Sequence, residues 1–123
     1  MYSITVEPEC QLMRIAVSGF WPSEILPGYI AELHRQTEGL KPFGGCRRIL
    51  VDMSDYPIQS QEVAQAHARI IAYGKDALRA ATAVVMTSPL SKLQAKRMAN
   101  LAGHELFDEE AGARAWLLAQ PDL

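Results

Sequence analysis

The sequence predicts an α/β domain: a mixed sheet of four to five strands with about four helices packed on it. The run Ile49-Leu50-Val51 is continuously apolar, which is typical of a strand that helices cover on both faces. Residues 81–87 repeat this pattern. Residues 12–18 instead alternate between apolar and polar positions, as a hairpin strand does. Strand and helix alternate after this hairpin, so we expect the order ββαβαβα(β)α in a single domain over residues 1–123.

The first half of the chain predicts a hairpin and a helix. Residues 3–6 and 12–18 are β-rich runs separated by a turn-like gap, which favours antiparallel pairing. A helix should open at Pro22, because proline suits the first turn of a helix. Pro27 lies inside the apolar helical spacing, so we expect the regular helix to begin there after a short irregular turn. Gly39 is the expected end of this helix.

The second half predicts three helices and two strands. Ser60 opens the second helix, and the buried strand over residues 81–87 follows it. Ser88, followed by proline, is a strong start for a third helix that ends at Gly103. Residues 104–107 then form a short edge strand. Asp108 is the expected N-cap of the final helix.

Composition and charge exclude several classes of function. The chain has 123 residues, is 49% hydrophobic and 21% charged, and carries a net charge of −2. Nucleic-acid binding is not expected, because it usually requires a basic face. No apolar run approaches the roughly 20 residues of a membrane span, and the N-terminal residues lack the pattern of a secretory signal. Cys10 and Cys46 are distant in sequence and are expected to be reduced thiols, which favours a cytoplasmic location.

The histidines give no sign of a metal site. His34, His67 and His104 lie on three separate predicted elements without a ligand partner at helical spacing. Metal binding needs several convergent ligands. The sequence therefore predicts no metal and no cofactor, with the histidines at the surface or in caps.

Aromatic and polar residues gather at the predicted ends of three strands. Because the carboxyl ends of parallel strands meet at one edge of a sheet, these residues should lie together beside helix N-termini. Apolar walls with a few polar groups suit a small ligand or a protein partner. The alternative is that the aromatics seal the sheet edge and the hydroxyls cap helices. The predicted ligand or partner face, called the strand-exit face below, comprises Phe20, Trp21, Asp52, Ser54, Tyr56, Thr87 and Ser88.

Two short motifs resemble a known family. Leu50-Val51-Asp52-Met53-Ser54, together with the closing segments over residues 107–111 and 115–117, resembles the STAS superfamily. The nearest branch is that of the SpoIIAA-like, anti-sigma-factor-antagonist-like small bacterial proteins. This resemblance implies a compact α/β module that acts mostly by binding partners or small ligands.

The resemblance also bears on phosphorylation. In regulatory members, D-L-S is followed by D-S-S-G, whose serine is phosphorylated at a helix start. Asp52-Met53-Ser54 resembles the first part. Residues 59–62, Gln-Ser-Gln-Glu, replace the second part and lack its aspartate and glycine, so Ser60 is the remaining candidate phosphorylation site.

These observations favour a non-enzymatic regulatory or ligand-sensing binding module. Its partner would be a protein or a small apolar or amphipathic ligand. One alternative is a small enzyme in which Asp52, Asp55 or a serine does acid–base or nucleophilic work, and another is a structural homodimer. A strongly perturbed carboxylate inside a closed pocket would favour the enzyme, and a shallow aromatic face would favour a partner.

Overall fold

A computed structural model describes residues 1–87 and 105–120, the side chain of Lys75 excepted. Its centre is a five-stranded mixed sheet in the order β1-β2-β3-β4-β5. β1 pairs antiparallel with β2, and the remaining neighbours are parallel. The predicted hairpin and the mixed sheet are therefore confirmed. The strand bounds are Tyr2–Glu7 for β1, Leu12–Ser18 for β2, Arg48–Asp55 for β3, Ala81–Val85 for β4 and Glu105–Phe107 for β5.

Three α-helices lie in the described ranges: α1 over Leu26–Leu40, α2 over Gln61–Asp76 and α3 over Glu110–Leu118. A 3-10 turn over Ser23–Ile25 precedes α1, and Pro27 lies in the first turn of α1, as predicted. Among these described helices, none is both long enough and apolar enough to cross a bilayer.

Two predicted features of the helices are not confirmed: the third helix and the N-cap of the final helix. The predicted third helix, which begins at Ser88 and ends at Gly103, lies outside the described residues. The final helix is capped by Glu109 rather than by Asp108, and no side chain accepts a hydrogen bond there. Glu109 has extended backbone angles and directly precedes the first helical residue, so the expected boundary was one residue too early.

The two faces of the sheet carry separate cores, because successive side chains of a strand point to opposite sides. One face is covered by α1 and α2, the other by α3. Leu50 in the central strand is fully buried on the α3 face, and Ile49 and Val51 are buried on the opposite face. This confirms that residues 49–51 form a strand covered on both sides.

An arginine attaches α3 to the sheet. The Arg48 guanidinium donates hydrogen bonds to the carbonyl oxygens of Cys10 at 2.7 Å, Leu117 at 3.0 Å and Gln120 at 3.1 Å. It therefore joins the start of β3 to the C-terminal end of α3 and to the turn before β2.

The helices α1 and α2 cover different strands of the opposite face. α1 packs on the β1 side of the sheet, whereas α2 packs on the β4 side. The central strands β2 and β3 therefore lie beneath the space between the two helices.

Candidate functional site

The loops that follow β2 and β3 are joined at the strand-exit face. The amide of Gly19 donates to the carbonyl of Asp55 at 3.1 Å. The Gln59 side chain donates to the carbonyls of Gly19 at 2.9 Å and Pro57 at 2.8 Å, and its own oxygen accepts from the amide of Trp21 at 2.8 Å. This buried amide therefore holds the two loops in a fixed relation.

Two of the predicted aromatic residues lie in the core and not on an accessible surface. Trp21 is 1% exposed, and its indole nitrogen donates to the carbonyl of Ser18 at 3.0 Å. Tyr56 is also buried. Gly19 has φ of 76°, a conformation that glycine adopts readily, and this turn precedes Phe20, which is 62% exposed. The expectation of an open face formed by Phe20, Trp21 and Tyr56 is therefore wrong for the last two.

Trp21 and Tyr56 pack with a histidine that sequence reasoning misplaced. His67 of α2 is 3% exposed, not at the surface as expected. Its Nδ1 lies 2.5 Å from the Tyr56 hydroxyl, and its ring centroid lies 4.6 Å from that of Trp21 and 5.2 Å from that of Tyr29. Burial lowers the pKa of His67 to about 4, so the ring is neutral near pH 7. Its position one turn after Val63, on the apolar side of α2, was the available signal.

Asp52 and Ser54 form a polar cluster on the α3 face of the sheet. The amide and hydroxyl of Ser54 donate to Oδ1 of Asp52 at 3.0 and 2.7 Å. The Arg14 guanidinium lies 3.3 Å from the other carboxylate oxygen and donates to Glu110 of α3 at 2.7 and 3.0 Å. Thr87 donates to the Ser54 carbonyl at 3.4 Å. The structure therefore brings these polar residues together.

The polar cluster is separated from the predicted aromatics. Trp21 and Tyr56 belong to the core beneath α1 and α2, across the sheet from Arg14 and Glu110. Ser88, the last predicted member of the strand-exit face, lies outside the described residues. The predicted face is therefore divided between the two sides of the sheet.

Ser60 caps α2. Its hydroxyl oxygen accepts a hydrogen bond from the amide of Val63 at 3.3 Å, as expected for an N-cap serine. The residue is exposed. Phosphorylation of Ser60 stays a prediction, because capping alone explains this geometry.

Metal ligands do not converge in the part of the chain that the structure describes. No group of three or more His, Cys, Asp or Glu side chains there is arranged to hold an ion.

An apolar cavity of about 510 Å³ lies between α1, α2 and the central strands. Met13 and Ile15 of β2 and Ile49 and Val51 of β3 form its floor. This volume falls within the range of small-molecule sites in proteins, roughly 300–1,000 Å³. The cavity, called the α1–α2 cavity below, was not predicted from the sequence.

The ends of the α1–α2 cavity differ. Tyr29 lies at the end nearest the carboxyl ends of the strands, where its ring packs against Trp21 at 4.9 Å. From there the cavity follows α1 to Lys41. Gly74 of α2 also lines it, and a Cβ there would lie 2.8 Å from Cδ1 of Ile49. The absence of a side chain at Gly74 lets α2 approach the floor closely.

Polar groups at the cavity divide into an interior set and an exposed set. Inside, Thr37 donates to the Leu33 carbonyl at 2.8 Å, and Thr82 donates to the Ala80 carbonyl at 3.2 Å. The exposed set, called the mouth below, comprises His34, Glu38, Lys41, Arg69 and Tyr73.

Comparison with known proteins adds the name of the fold. No family model matches the chain, and no curated protein matches its sequence. Among solved structures, the chain is similar to an uncharacterized protein of the DUF3478 family with a SpoIIAA-like fold from Shewanella loihica PV-4. The TM-score is 0.64 at 16% identity, and the match covers 94% of this chain and 93% of the other. The chain has a SpoIIAA-like fold.

The SpoIIAA-like fold agrees with the family resemblance found in the sequence. At 16% identity the similarity shows the fold alone. Function must be argued from the site, because one fold supports many activities.

Proposed function

We propose that this SpoIIAA-like domain is a non-enzymatic binding module that takes a small amphipathic ligand in the α1–α2 cavity. The observation that carries the proposal is the cavity of about 510 Å³ with an apolar floor and a polar mouth. The proposal keeps the class of function that the sequence predicts. It moves the ligand site from the strand-exit face to the space between the two helices.

The lining of the cavity supports an apolar ligand. Ile15, Val51, Leu33 and Ile70 come from four elements and present aliphatic side chains to the same space. Removing apolar surface from water stabilises a complex by about 25 cal/mol per Å². A ligand that covers these side chains therefore needs few polar contacts to bind.

The alternative of a small enzyme has less support from the geometry. Acid–base catalysis needs a carboxyl group within hydrogen-bond reach of its substrate. Among the described residues that line the cavity, the carboxylate is that of Glu38, which is exposed and lies 2.9 Å from the Lys41 ammonium. Both oxygens of Asp52 are already engaged, by Ser54 and Arg14, on the opposite face of the sheet.

The expectations of a protein partner, a cytoplasmic location and a homodimer rest mainly on the sequence. We propose a regulatory output through a protein partner at the strand-exit face, where Phe20 is exposed, as is Ile58 in the loop after β3. A cytoplasmic location is supported by Cys10 and Cys46, which are free thiols as a reducing compartment allows. A homodimer stays an alternative to a partner protein.

Binding of a neutral apolar dye tests the proposal. The fluorescence of N-phenyl-1-naphthylamine, excited at the dye's own absorption band and not through tryptophan, should show saturable binding to the wild-type protein. Ala66→Trp adds a ring inside the cavity, whereas Ala31→Trp adds the same ring at an exposed position of α1 outside the lining. We expect Ala66→Trp to weaken dye binding by about tenfold or more, since the ring occupies volume that the dye would fill, and Ala31→Trp to leave it unchanged.

Circular dichroism should confirm that both variants are folded before binding is compared. Equal dye affinity in the two tryptophan variants, or no saturable binding to the wild-type protein, would refute the cavity as the ligand site.

A further inference from the structure

We infer that the ligand is a single-chain anionic amphiphile, with its hydrocarbon chain inside the α1–α2 cavity and its anionic group at Arg69. This inference rests on the proposed function and deepens it by assigning the chemical class of the ligand. It follows from the hydrogen bonds inside the cavity and from the charges at its mouth.

The inserted part of the ligand is expected to be hydrocarbon, with the anionic group kept out of the cavity. The hydroxyls of Thr37 and Thr82 already donate to backbone carbonyls, at 2.8 and 3.2 Å. The floor beside them is aliphatic. Their oxygens can still accept a hydrogen bond, but an anionic group has no proton to donate to them. Placed there, it would lose its hydration without gaining a hydrogen bond, which costs several kcal/mol in an apolar medium. An alkyl chain carries no such cost.

The polar part of the ligand therefore belongs at the mouth, where the charges favour an anion. The Lys41 ammonium lies 2.9 Å from the Glu38 carboxylate, so these two charges largely offset each other. Arg69 also lines the cavity and is exposed, and no carboxylate in the described part of the chain forms an ion pair with it. The mouth is thus locally positive in a chain of net charge −2.

The position of Arg69 suits an anionic head group. It lies on α2 between Ala66 and Tyr73, one turn from each, and both of these residues line the cavity. Ile30 of α1 and Tyr73 also line it, and both side chains are substantially exposed. These apolar side chains can cover the first carbons of the chain while the guanidinium binds the anion. Arginine binds carboxylates and phosphates through two parallel hydrogen bonds.

Matched eight-carbon probes test the inference. Octanoate, octanol and octyltrimethylammonium share one chain and differ in the charge of the head group. Each is titrated against the protein loaded with N-phenyl-1-naphthylamine, below its micelle concentration and at low salt. We expect octanoate to displace the dye at a concentration roughly fivefold lower than octyltrimethylammonium does. This preference should shrink as salt is added, because exposed charges are screened.

Arginine variants assign the preference to one side chain. Arg69→Gln should weaken octanoate binding roughly fivefold, and Arg69→Glu should weaken it further, while octanol binding stays within about twofold. Arg35→Gln is the matched control, because Arg35 lies on α1 outside the cavity lining and is paired with Glu32.

The outcomes separate this inference from the proposed function. Suppose that octanol displaces the dye but octanoate binds no more tightly than octyltrimethylammonium, or that Arg69→Glu binds octanoate as the wild-type protein does. The anionic class of the ligand is then wrong, and the apolar cavity remains the ligand site. Tighter binding of octyltrimethylammonium than of octanoate would also overturn the inference. If no probe binds, or if Ala66→Trp binds them all normally, the proposed function itself fails.

Discussion

Two halves of the same sheet face differ in how their space is filled. Near the carboxyl ends of the strands, the rings of Trp21, Tyr29, Tyr56 and His67 pack together with centroids 4.6 to 6.0 Å apart. Toward the amino ends, aliphatic side chains form the floor of a cavity of about 510 Å³. The same two helices cover both halves. Where large rings fill the space between the two helices the core is closed, and where aliphatic side chains lie beneath them a binding volume remains.

This difference explains why the aromatic residues are poor guides to the ligand site here. Aromatic side chains contribute large contact areas to cores as well as to interfaces. At the strand ends they contact one another and therefore close that half of the face. The space open to a ligand lies over the aliphatic side chains toward the amino ends of the strands.

The largest expected effect comes from removing the central ring of the filled half. Trp21→Ala should lower the free energy of unfolding by about 3–5 kcal/mol, because it leaves a cavity among Tyr29, Tyr56 and His67. Chemical denaturation measures this value. Phe20→Ala is the neighbouring control and should change stability by less than about 0.5 kcal/mol, since Phe20 is exposed.

A small loss of stability in Trp21→Ala, together with a large loss in Phe20→Ala, would reverse the assignment of the two residues. It would restore Trp21 to the accessible strand-exit face.

A somewhat smaller effect should appear on acidification. Burial lowers the pKa of His67 from 6.5 to about 4, so the unfolded chain binds a proton more readily than the folded protein does. This contribution to stability is complete above pH 6.5, is lost as pH falls from 6.5 to about 4, and changes no further below that. The total corresponds to about 3 kcal/mol.

Denaturation of wild-type protein and His67→Gln across this pH range tests the assignment. The variant should be less stable at neutral pH, because it changes a buried side chain, but it should lack the loss between pH 6.5 and 4. The same pH dependence in both proteins would mean that His67 is not the group responsible.

Adding volume should destabilise the closed half of the face and be tolerated in the half that holds the cavity. Val63→Phe enlarges a fully buried side chain of the closed core and should cost about 1–3 kcal/mol of stability. Ala66→Phe adds a ring to the cavity and should cost less than about 0.5 kcal/mol, or stabilise the fold, because space is present. Thermal unfolding distinguishes the two. Equal losses would indicate that the cavity closes in solution.

The smallest expected effect concerns the start of α2. Ser60→Ala removes the acceptor of the Val63 amide and should cost about 1 kcal/mol, whereas Ser60→Asp retains an acceptor and should cost less. Chemical denaturation of both variants provides the comparison. A negligible loss in Ser60→Ala would show that capping does not account for this serine, which would strengthen its prediction as a phosphorylation site.

Much of the fold could be predicted because local patterns were strong. The apolar run at residues 49–51 indicated a strand covered on both faces, and the position of Pro27 indicated an irregular turn before α1. Boundaries were less certain, as the cap at Glu109 shows, because neighbouring acidic residues offer similar signals.

The site could be predicted much less well, for reasons that lie in tertiary packing. Whether Trp21 points outward depends on the turn at Gly19 and on the bond from its amide to Gln59, 38 residues away. The cavity depends on how α1 and α2 are placed over the sheet, which no short sequence pattern encodes. Arg69 by itself reads as an ordinary surface arginine, and its significance comes only from its place at the mouth.

The most direct test is an amide-resolved NMR titration of the ¹⁵N-labelled protein with octanol. Because the ligand is expected between the helices, the largest shift changes should follow the cavity-facing residues from Ile30 in α1 to Lys41 just after it, and those of α2 from Ala66 to Gly74. The loops at residues 19–22 and 54–60 should change little. Changes concentrated in those two loops, with the helices unaffected, would place the ligand at the strand-exit face and contradict the account.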